Sequence, residues 1–317
     1  MVVSVILLIV GFALLVKGAD FFVSGSSRIA KALKIPPLVI GLTLVSMGTS
    51  APEASVSING VVSGMNDMSL GNVVGSNIFN TLFILGVSAL IVPLQIGKDV
   101  KRFDIPVMVG IYSLLILFSF VITPYSIDLF EGIIMLTLFI GYMVFLVLRA
   151  KRESKTLKDE PTSENVKDKP LWLSILLAVI GLAAVIFGGK LSVDNAAKIA
   201  AALGMSENLV GLTIVAVGTS LPELVTSVVA SVKKEGDIAI GNVVGSNIFN
   251  IVFILGITST IKPLQLNISA LTDLLVMLGS GVLILTVSLL SKKTKRWQGA
   301  VMAACYVGYL AYIIIRN

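Results

Sequence analysis

Apolar stretches of about twenty residues, the length a helix needs to cross a bilayer, recur from one end of this chain to the other. They constrain the fold more than any single residue does. In hydrocarbon every backbone N–H and C=O must find its partner within the protein, so a spanning stretch of this kind has to be a helix. With 56% hydrophobic and 13% charged residues, the chain lacks the charged surface that a soluble protein of this length needs. Ten spans are legible, at 2–27, 36–64, 69–94, 104–122, 127–148, 171–197, 206–232, 239–264, 270–290 and 298–315. The expected fold is therefore an all-α membrane protein with ten transmembrane helices.

One stretch stands apart. From Arg149 to Pro170 the chain is charged and poor in apolar residues, which predicts a flexible linker. It divides the protein into a five-helix unit at 1–148, the linker at 149–170 and a second five-helix unit at 171–317. The amino terminus runs from Met1 straight into apolar sequence with no basic leader and no small-residue cleavage site, which predicts a retained first helix and not a signal peptide. Lys and Arg concentrate after spans 1, 3, 5, 7 and 9: Arg28, Lys31 and Lys34; Lys98, Lys101 and Arg102; the linker; Lys233 and Lys234; Lys292, Lys293, Lys295 and Arg296. The other connections are nearly bare, with Lys198 and Lys262 near them. Positive charge marks the cytoplasmic side, so the linker is expected in the cytoplasm and both termini outside. The net charge of +6 follows this alternation and points to a lipid bilayer, not to nucleic acid.

The strongest feature is an internal repeat. GNVVGSNIFN occurs identically at Gly71–Asn80 and Gly241–Asn250, and GTSAPE at Gly48–Glu53 matches GTSLPE at Gly218–Glu223. Both pairs are offset by 241 − 71 = 218 − 48 = 170 positions. Five spans per copy is an odd number, so the second copy is expected to enter the membrane from the opposite side. Such inverted repeats belong to secondary transporters, whose substrate site lies where the repeats meet.

Glu53 and Glu223 fall well inside spans 2 and 7. A carboxylate at that depth is costly unless it meets a cation or a water-filled path, which makes it a functional candidate. Pro52 and Pro222 have no N–H to offer the carbonyls of Gly48 and Gly218, and a freed carbonyl inside a bilayer can take a bound cation as its partner. On a continuous helix Thr49 and Glu53 share a face, as do Ser46 and Ser50, and Thr219 and Glu223 repeat the arrangement. The rival reading is a pair of hydrogen-bonded glutamates that only help helices pack. In the second motif Ser76 and Asn80, with Asn72, form one stripe, and Ser246 and Asn250, with Asn242, form the other. These are candidates for ligation or pore lining, while Gly71, Gly75, Gly241 and Gly245 read as small residues for close helix approach. Oxygen-only ligands suit hard cations such as Ca²⁺ and Na⁺. Two ionised glutamates are neutralised by one Ca²⁺; three Na⁺ in its place would leave one positive charge over.

Lesser charged residues read as structural: Lys17 with Asp20 and Lys190 with Asp194 as mutual pairs, and Asp128, Glu131 and Asp273 as span-end groups in contact with water or headgroups. Trp172 and Trp297 read as interfacial anchors. The single cysteine, Cys305, excludes an internal disulfide and any multi-cysteine metal site. The absence of histidine removes zinc-protease motifs, Ser–His catalysis and transition-metal transport through imidazoles.

The paired motifs resemble the α-repeats of the sodium/calcium exchanger family of the calcium/cation antiporter superfamily, in particular its compact prokaryotic and archaeal members. The resemblance implies a central calcium site made by Thr49, Glu53, Thr219 and Glu223. It also implies flanking sodium sites, one of Ser46, Thr49, Ser50, Glu53 and Ser76 and the other of Ala216, Thr219, Ser220, Glu223 and Ser246. Spans 1 and 6 would slide across the core to alternate access. Some relatives, including potassium-dependent exchangers, carry an aspartate where this chain has Asn250, so potassium co-transport is not expected. The linker is too short for the calcium-sensing domains of animal exchangers. The implied function is electrogenic Na⁺/Ca²⁺ antiport across the cell membrane, by a monomer without a cofactor and without enzymatic activity. Three rivals remain at this point. A Ca²⁺/H⁺ antiporter would use the glutamates as proton carriers; a passive channel is disfavoured by the inverted repeat; an intramembrane enzyme lacks a serine–base pair or a second intramembrane aspartate.

Overall fold

In the computed structural model, which describes residues 1–158, 170–205, 210, 213–214, 216–291 and 293–316, eight helices are long and apolar enough to cross a membrane. They are α1 (Val2–Leu33), α4 (Met68–Ile91), α5 (Val100–Ile122), α6 (Leu129–Lys158), α7 (Leu171–Ala202), α9 (Gly236–Ile261), α10 (Ser269–Leu290) and α11 (Arg296–Arg316). The remaining two apolar stretches are broken. The expected second span divides into α2 (Pro37–Thr49) and α3 (Ala51–Val62), separated by Ser50 at φ −82° and ψ 6°. Pro52 lies in the first turn of α3, where a missing N–H leaves no bond unmade. The second copy does the same: a single turn at Ala216–Gly218, a break at Thr219 and Ser220, then α8 (Leu221–Val232) with Pro222 in its first turn. Residues 206–209, 211–212 and 215 of the expected seventh span, and 159–169 of the expected linker, lie outside the described residues.

The helix α6 runs ten residues beyond the expected span end, into the stretch read as linker. Arg149 explains why. It is no linker side chain: it is 9% exposed and pairs with the wholly buried Asp104 at 3.0 Å, with Glu153 one turn on at 2.9 Å and with Asp99 at 3.4 Å. An i,i+4 pair supports continued helix. Three other readings of charged residues change. Asp20 pairs with Lys233 at 2.6 Å and not with Lys17. Lys190 and Asp194 form no ion pair among the described residues, with each other or otherwise. Glu131 is buried, accepting from the Thr123 hydroxyl and the Asp128 N–H, instead of meeting water.

The 170-residue offset is written into the packing. The helices α1 and α7 lie side by side and antiparallel: a Cβ on Gly11 would fall within 3.0 Å of Gly188, one on Gly18 within 2.9 Å of Gly181, and one on Gly25 within 2.8 Å of Ser174. Gly181 and Gly188 are the repeat counterparts of Gly11 and Gly18, so each glycine meets the counterpart of the other. Helix ends follow the same register. Lys34 (φ 54°) and Gly204 (φ 91°) are counterparts, and so are Gly64 (φ 82°) and Lys234 (φ 64°). All four follow a helix in the left-handed conformation that closes it. One member of each pair is glycine and the other lysine.

At the centre lies α9, the most buried of the eight long helices. Gly241 and Gly245 let the α2 backbone approach: a Cβ on the first would stand 2.8 Å from the Leu38 carbonyl and on the second 2.7 Å from that of Leu42. The expectation of close approach holds here. At Gly71 and Gly75 no described residue comes within 4 Å of a Cβ position. Both copies of the decapeptide end in a widened, π-helical segment, Phe79–Ile84 and Asn250–Leu255. Short strands β1 (Ser126–Ile127) and β2 (Leu264–Gln265) pair antiparallel beside the bundle. Trp172 and Trp297, 63% and 62% exposed, stand at helix starts as expected of anchors.

Candidate functional site

The two helix breaks face each other across the bundle. Glu53 and Glu223 each occupy the first turn of the helix after the break, and both are fully buried. Each is held by a serine from the opposite copy. Ser220 Oγ donates to Glu53 Oε1 at 2.9 Å, and Ser50 Oγ donates to Glu223 Oε1 at 2.9 Å. The pattern widens in the same reciprocal way. Thr49 Oγ1 donates to Asn242 Oδ1 at 3.0 Å and Thr219 Oγ1 to Asn72 Oδ1 at 3.3 Å. Asn72 Nδ2 donates to Ser57 Oγ at 3.0 Å and Asn242 Nδ2 to Ser227 Oγ at 2.9 Å. Each amide also reaches the main-chain carbonyl of the glutamate in its own copy, Glu53 at 3.3 Å and Glu223 at 3.4 Å.

The remaining expected residues gather around this centre. Ser76 Oγ lies 3.0 Å from Ser220 Oγ, so it joins the Glu53 cluster through the opposite copy. Ser46 turns its hydroxyl back to the Leu42 carbonyl at 2.9 Å and offers its own carbonyl to Ser246 Oγ at 3.4 Å. Ala216 belongs to the turn before the second break; its side chain lies outside the described residues. Asn80 and Asn250 are fully buried in the two π-helical segments. Asn80 Nδ2 donates to Asn247 Oδ1 at 3.2 Å, and Asn250 Nδ2 to Asn77 Oδ1 at 3.0 Å.

Four oxygens are left over. Glu53 Oε2, Glu223 Oε2, Asn80 Oδ1 and Asn250 Oδ1 are buried with no hydrogen-bond partner among the described residues. No Lys or Arg forms an ion pair with either glutamate there. Orphaned acceptors in a low-dielectric interior are expensive, and carboxylate and amide oxygens are the kind that coordinate a hard cation. The described residues contain no group of three or more His, Cys, Asp or Glu that could hold a metal. Any ion held here would therefore meet two carboxylates and otherwise neutral hydroxyl, amide and carbonyl oxygens. That donor set suits a hard cation and not a soft transition metal.

Asn77, Asn247, Ser57 and Ser227 are not among the residues expected from the sequence, and Asn72 and Asn242 are expected there only as extensions of a stripe. A signal for them existed, since 77 and 247 belong to the identical decapeptide and 57 and 227 are serine in both copies. The Asp104–Arg149 pair had none, because its members sit 45 residues apart in unrepeated sequence.

The profile of the family described as sodium/calcium exchanger protein matches residues 3–148 and 173–315. A curated relative, the putative antiporter CaxA of Alkalimonas amylolytica, is 37% identical over 318 residues, covering 98% of each chain. The sodium/calcium exchanger MaX1 of Methanosarcina acetivorans is 32% identical, again over 98% of each chain. Among solved structures, the sodium-calcium exchanger NCX_Mj soaked with zero Na⁺ and Ca²⁺ superposes with a TM-score of 0.84 at 33% identity, covering 98% of this chain and 99% of that one.

Proposed function

This chain belongs to the sodium/calcium exchanger protein family, and on that footing we propose that it exchanges Na⁺ for Ca²⁺ across the cell membrane by alternating access, electrogenically and without K⁺. The observation that carries the reading is the pair of buried glutamates, each bonded to a serine of the opposite copy and with no ion-paired Lys or Arg among the described residues. One Ca²⁺ would neutralise them between Thr49, Glu53, Thr219 and Glu223. Na⁺ would use the same carboxylates, with Ser46, Ser50 and Ser76 on one side and Ala216, Ser220 and Ser246 on the other, and with Asn80 and Asn250 adding neutral oxygens. Sharing the carboxylates makes occupancy by the two ions exclusive, which is what separates exchange from leak. Electrogenicity follows from stoichiometry: one Ca²⁺ balances the −2 centre, whereas three Na⁺ in its place leave one positive charge over.

We read the fold as ten crossings in two inverted repeats. The antiparallel course of α1 and α7 and the reciprocal bonds around the breaks support it. Odd-numbered connections and the linker would be cytoplasmic and both termini extracellular, with one chain sufficient for transport.

Purified protein in liposomes tests the reading. An outward Na⁺ gradient should drive Ca²⁺ uptake with net charge movement, unchanged by K⁺ and abolished by Glu53→Gln. Uptake driven by a pH gradient and indifferent to Na⁺ would instead establish the proton-coupled rival.

A further inference from the structure

Asparagine is an awkward ion ligand, because its amide has two ends. The oxygen attracts a cation and the NH₂ repels one, and the two ends are nearly the same size. A buried Asn that contributes to a cation site must therefore be told which way to face. Asn80 and Asn250 are fully buried, and each has its oxygen free and its nitrogen engaged.

What engages them is a second pair of asparagines. Asn250 Nδ2 donates to Asn77 Oδ1 at 3.0 Å, so the orientation of Asn250 depends on that of Asn77. Asn77 is itself fixed without ambiguity: its Nδ2 donates to the main-chain carbonyl of Asn247 at 3.1 Å. A peptide carbonyl can only accept, so the NH₂ of Asn77 must face it. The Asn77 oxygen must then face Asn250, the Asn250 nitrogen must face Asn77, and the Asn250 oxygen is left for the ion. The other copy is anchored through side chains: the Thr81 hydroxyl and, at 3.5 Å, the Met108 thioether, which can only accept. Asn80 Nδ2 donates to Asn247 Oδ1 at 3.2 Å, and Asn247 Nδ2 donates to Thr81 Oγ1 at 2.9 Å, with the Tyr112 hydroxyl beyond at 3.5 Å. All four asparagines are wholly buried, so their bonds are shielded from bulk water.

We propose that Asn77 and Asn247 are positioning residues, which lock the amides of Asn250 and Asn80 with their oxygens toward the transported cation. The proposal rests on the reading of Asn80 and Asn250 as ligands given above. Without Asn77, the Asn250 amide is free to rotate and present hydrogens to the site. A carboxylate at position 250 has no wrong end, so it would need no such partner.

A double-mutant cycle separates this role from general packing. Ca²⁺ uptake and the Ca²⁺-induced rise in melting temperature are measured for the full chain, for Asn77→Ala, for Asn250→Asp and for the double variant, with Asn250→Ala alongside. Asn77→Ala should raise the Ca²⁺ concentration for half-saturation about tenfold, the size of one lost interaction, with maximal rate less affected. In the Asn250→Asp background the same substitution should change it by no more than about twofold. An equal effect of Asn77→Ala in both backgrounds, or none in either, overturns the positioning role while leaving the ligand reading intact. An unchanged half-saturation in Asn250→Ala overturns the ligand reading itself, and this proposal with it. Should Asn77→Ala fail to fold, Asn247→Ala measured with and without Asn80→Asp runs the mirror cycle, judged by the same outcomes.

Discussion

At the scale of single residues the site is built from reciprocity. Ser50 and Ser220 each give a proton to the glutamate of the other copy at the same 2.9 Å, and Ser220 also lies 3.0 Å from Ser76. Neither side chain is exposed to water that could replace it. Removing one leaves a buried carboxylate oxygen without its donor, which costs about 1–3 kcal/mol. Ser50→Ala and Ser220→Ala should therefore weaken Ca²⁺ binding by similar factors, read as similar increases in half-saturating Ca²⁺ in liposomes. A tenfold larger effect of one than of the other would show that the two half-sites are energetically unequal. The asparagines follow a different rule. Their importance lies in which end they present, and that is decided by a second layer, Asn77 and Asn247, whose own hydrogen bonds among the described residues go to amides, a hydroxyl, a thioether and a main-chain carbonyl.

Elements acquire their roles from where the chain breaks. A proline within an apolar run suggests a kinked helix; here the break is complete, because Ser50 and Ser220 leave helical geometry one turn before the glutamate. The carboxylates consequently sit in a helix first turn, where the peptide dipoles favour negative charge. Closures at the other helix ends carry a cost of their own. Lys234 holds φ 64° where its counterpart Gly64 holds 82°, and a side chain in the left-handed region costs about 1–2 kcal/mol relative to glycine. Lys234→Gly should raise the melting temperature of the detergent-solubilised protein, an effect worth about 1 kcal/mol. A fall would mean that the lysine makes a stabilising contact that outweighs its backbone strain. Lysine at 34 and 234, against glycine at 204 and 64, places the charged closures on the side that the basic connections assign to the cytoplasm.

For the whole molecule, the proposed division into two five-helix halves requires opposite insertion. In a Cys305→Ser background, cysteines introduced as Met65→Cys after α3 and Lys234→Cys after α8 should react with an impermeant thiol reagent from opposite faces of sealed vesicles. Labelling of both from one face would overturn the inverted topology. The one cysteine to be removed first is exposed on α11, at Cys305. Between the halves, α1 and α7 contact each other along their glycines, so the pair can act as a unit against the helices that bear the glutamates.

Membrane class, the recurrence of long apolar helices and the burial of the two glutamates were legible in the sequence alone. Each rests on a local rule: twenty apolar residues must be helical in lipid, and a buried carboxylate must have a cation or a water path. The identical decapeptides and the 170-residue offset also announced which positions would be counterparts. Only the tertiary structure decided partnership. Ser50 lies three residues from Glu53 yet bonds to Glu223, and Ser76 reaches Glu53 through Ser220, because the opposed breaks bring each serine nearer to the other copy than to its own. Arg149 reads as linker until Asp104, 45 residues away, is seen buried against it. The same holds for the free oxygens of Asn80 and Asn250. Composition says an amide is there, but only a buried network, ending on a main-chain carbonyl for Asn250 and on Thr81 for Asn80, fixes which of its ends an ion would meet.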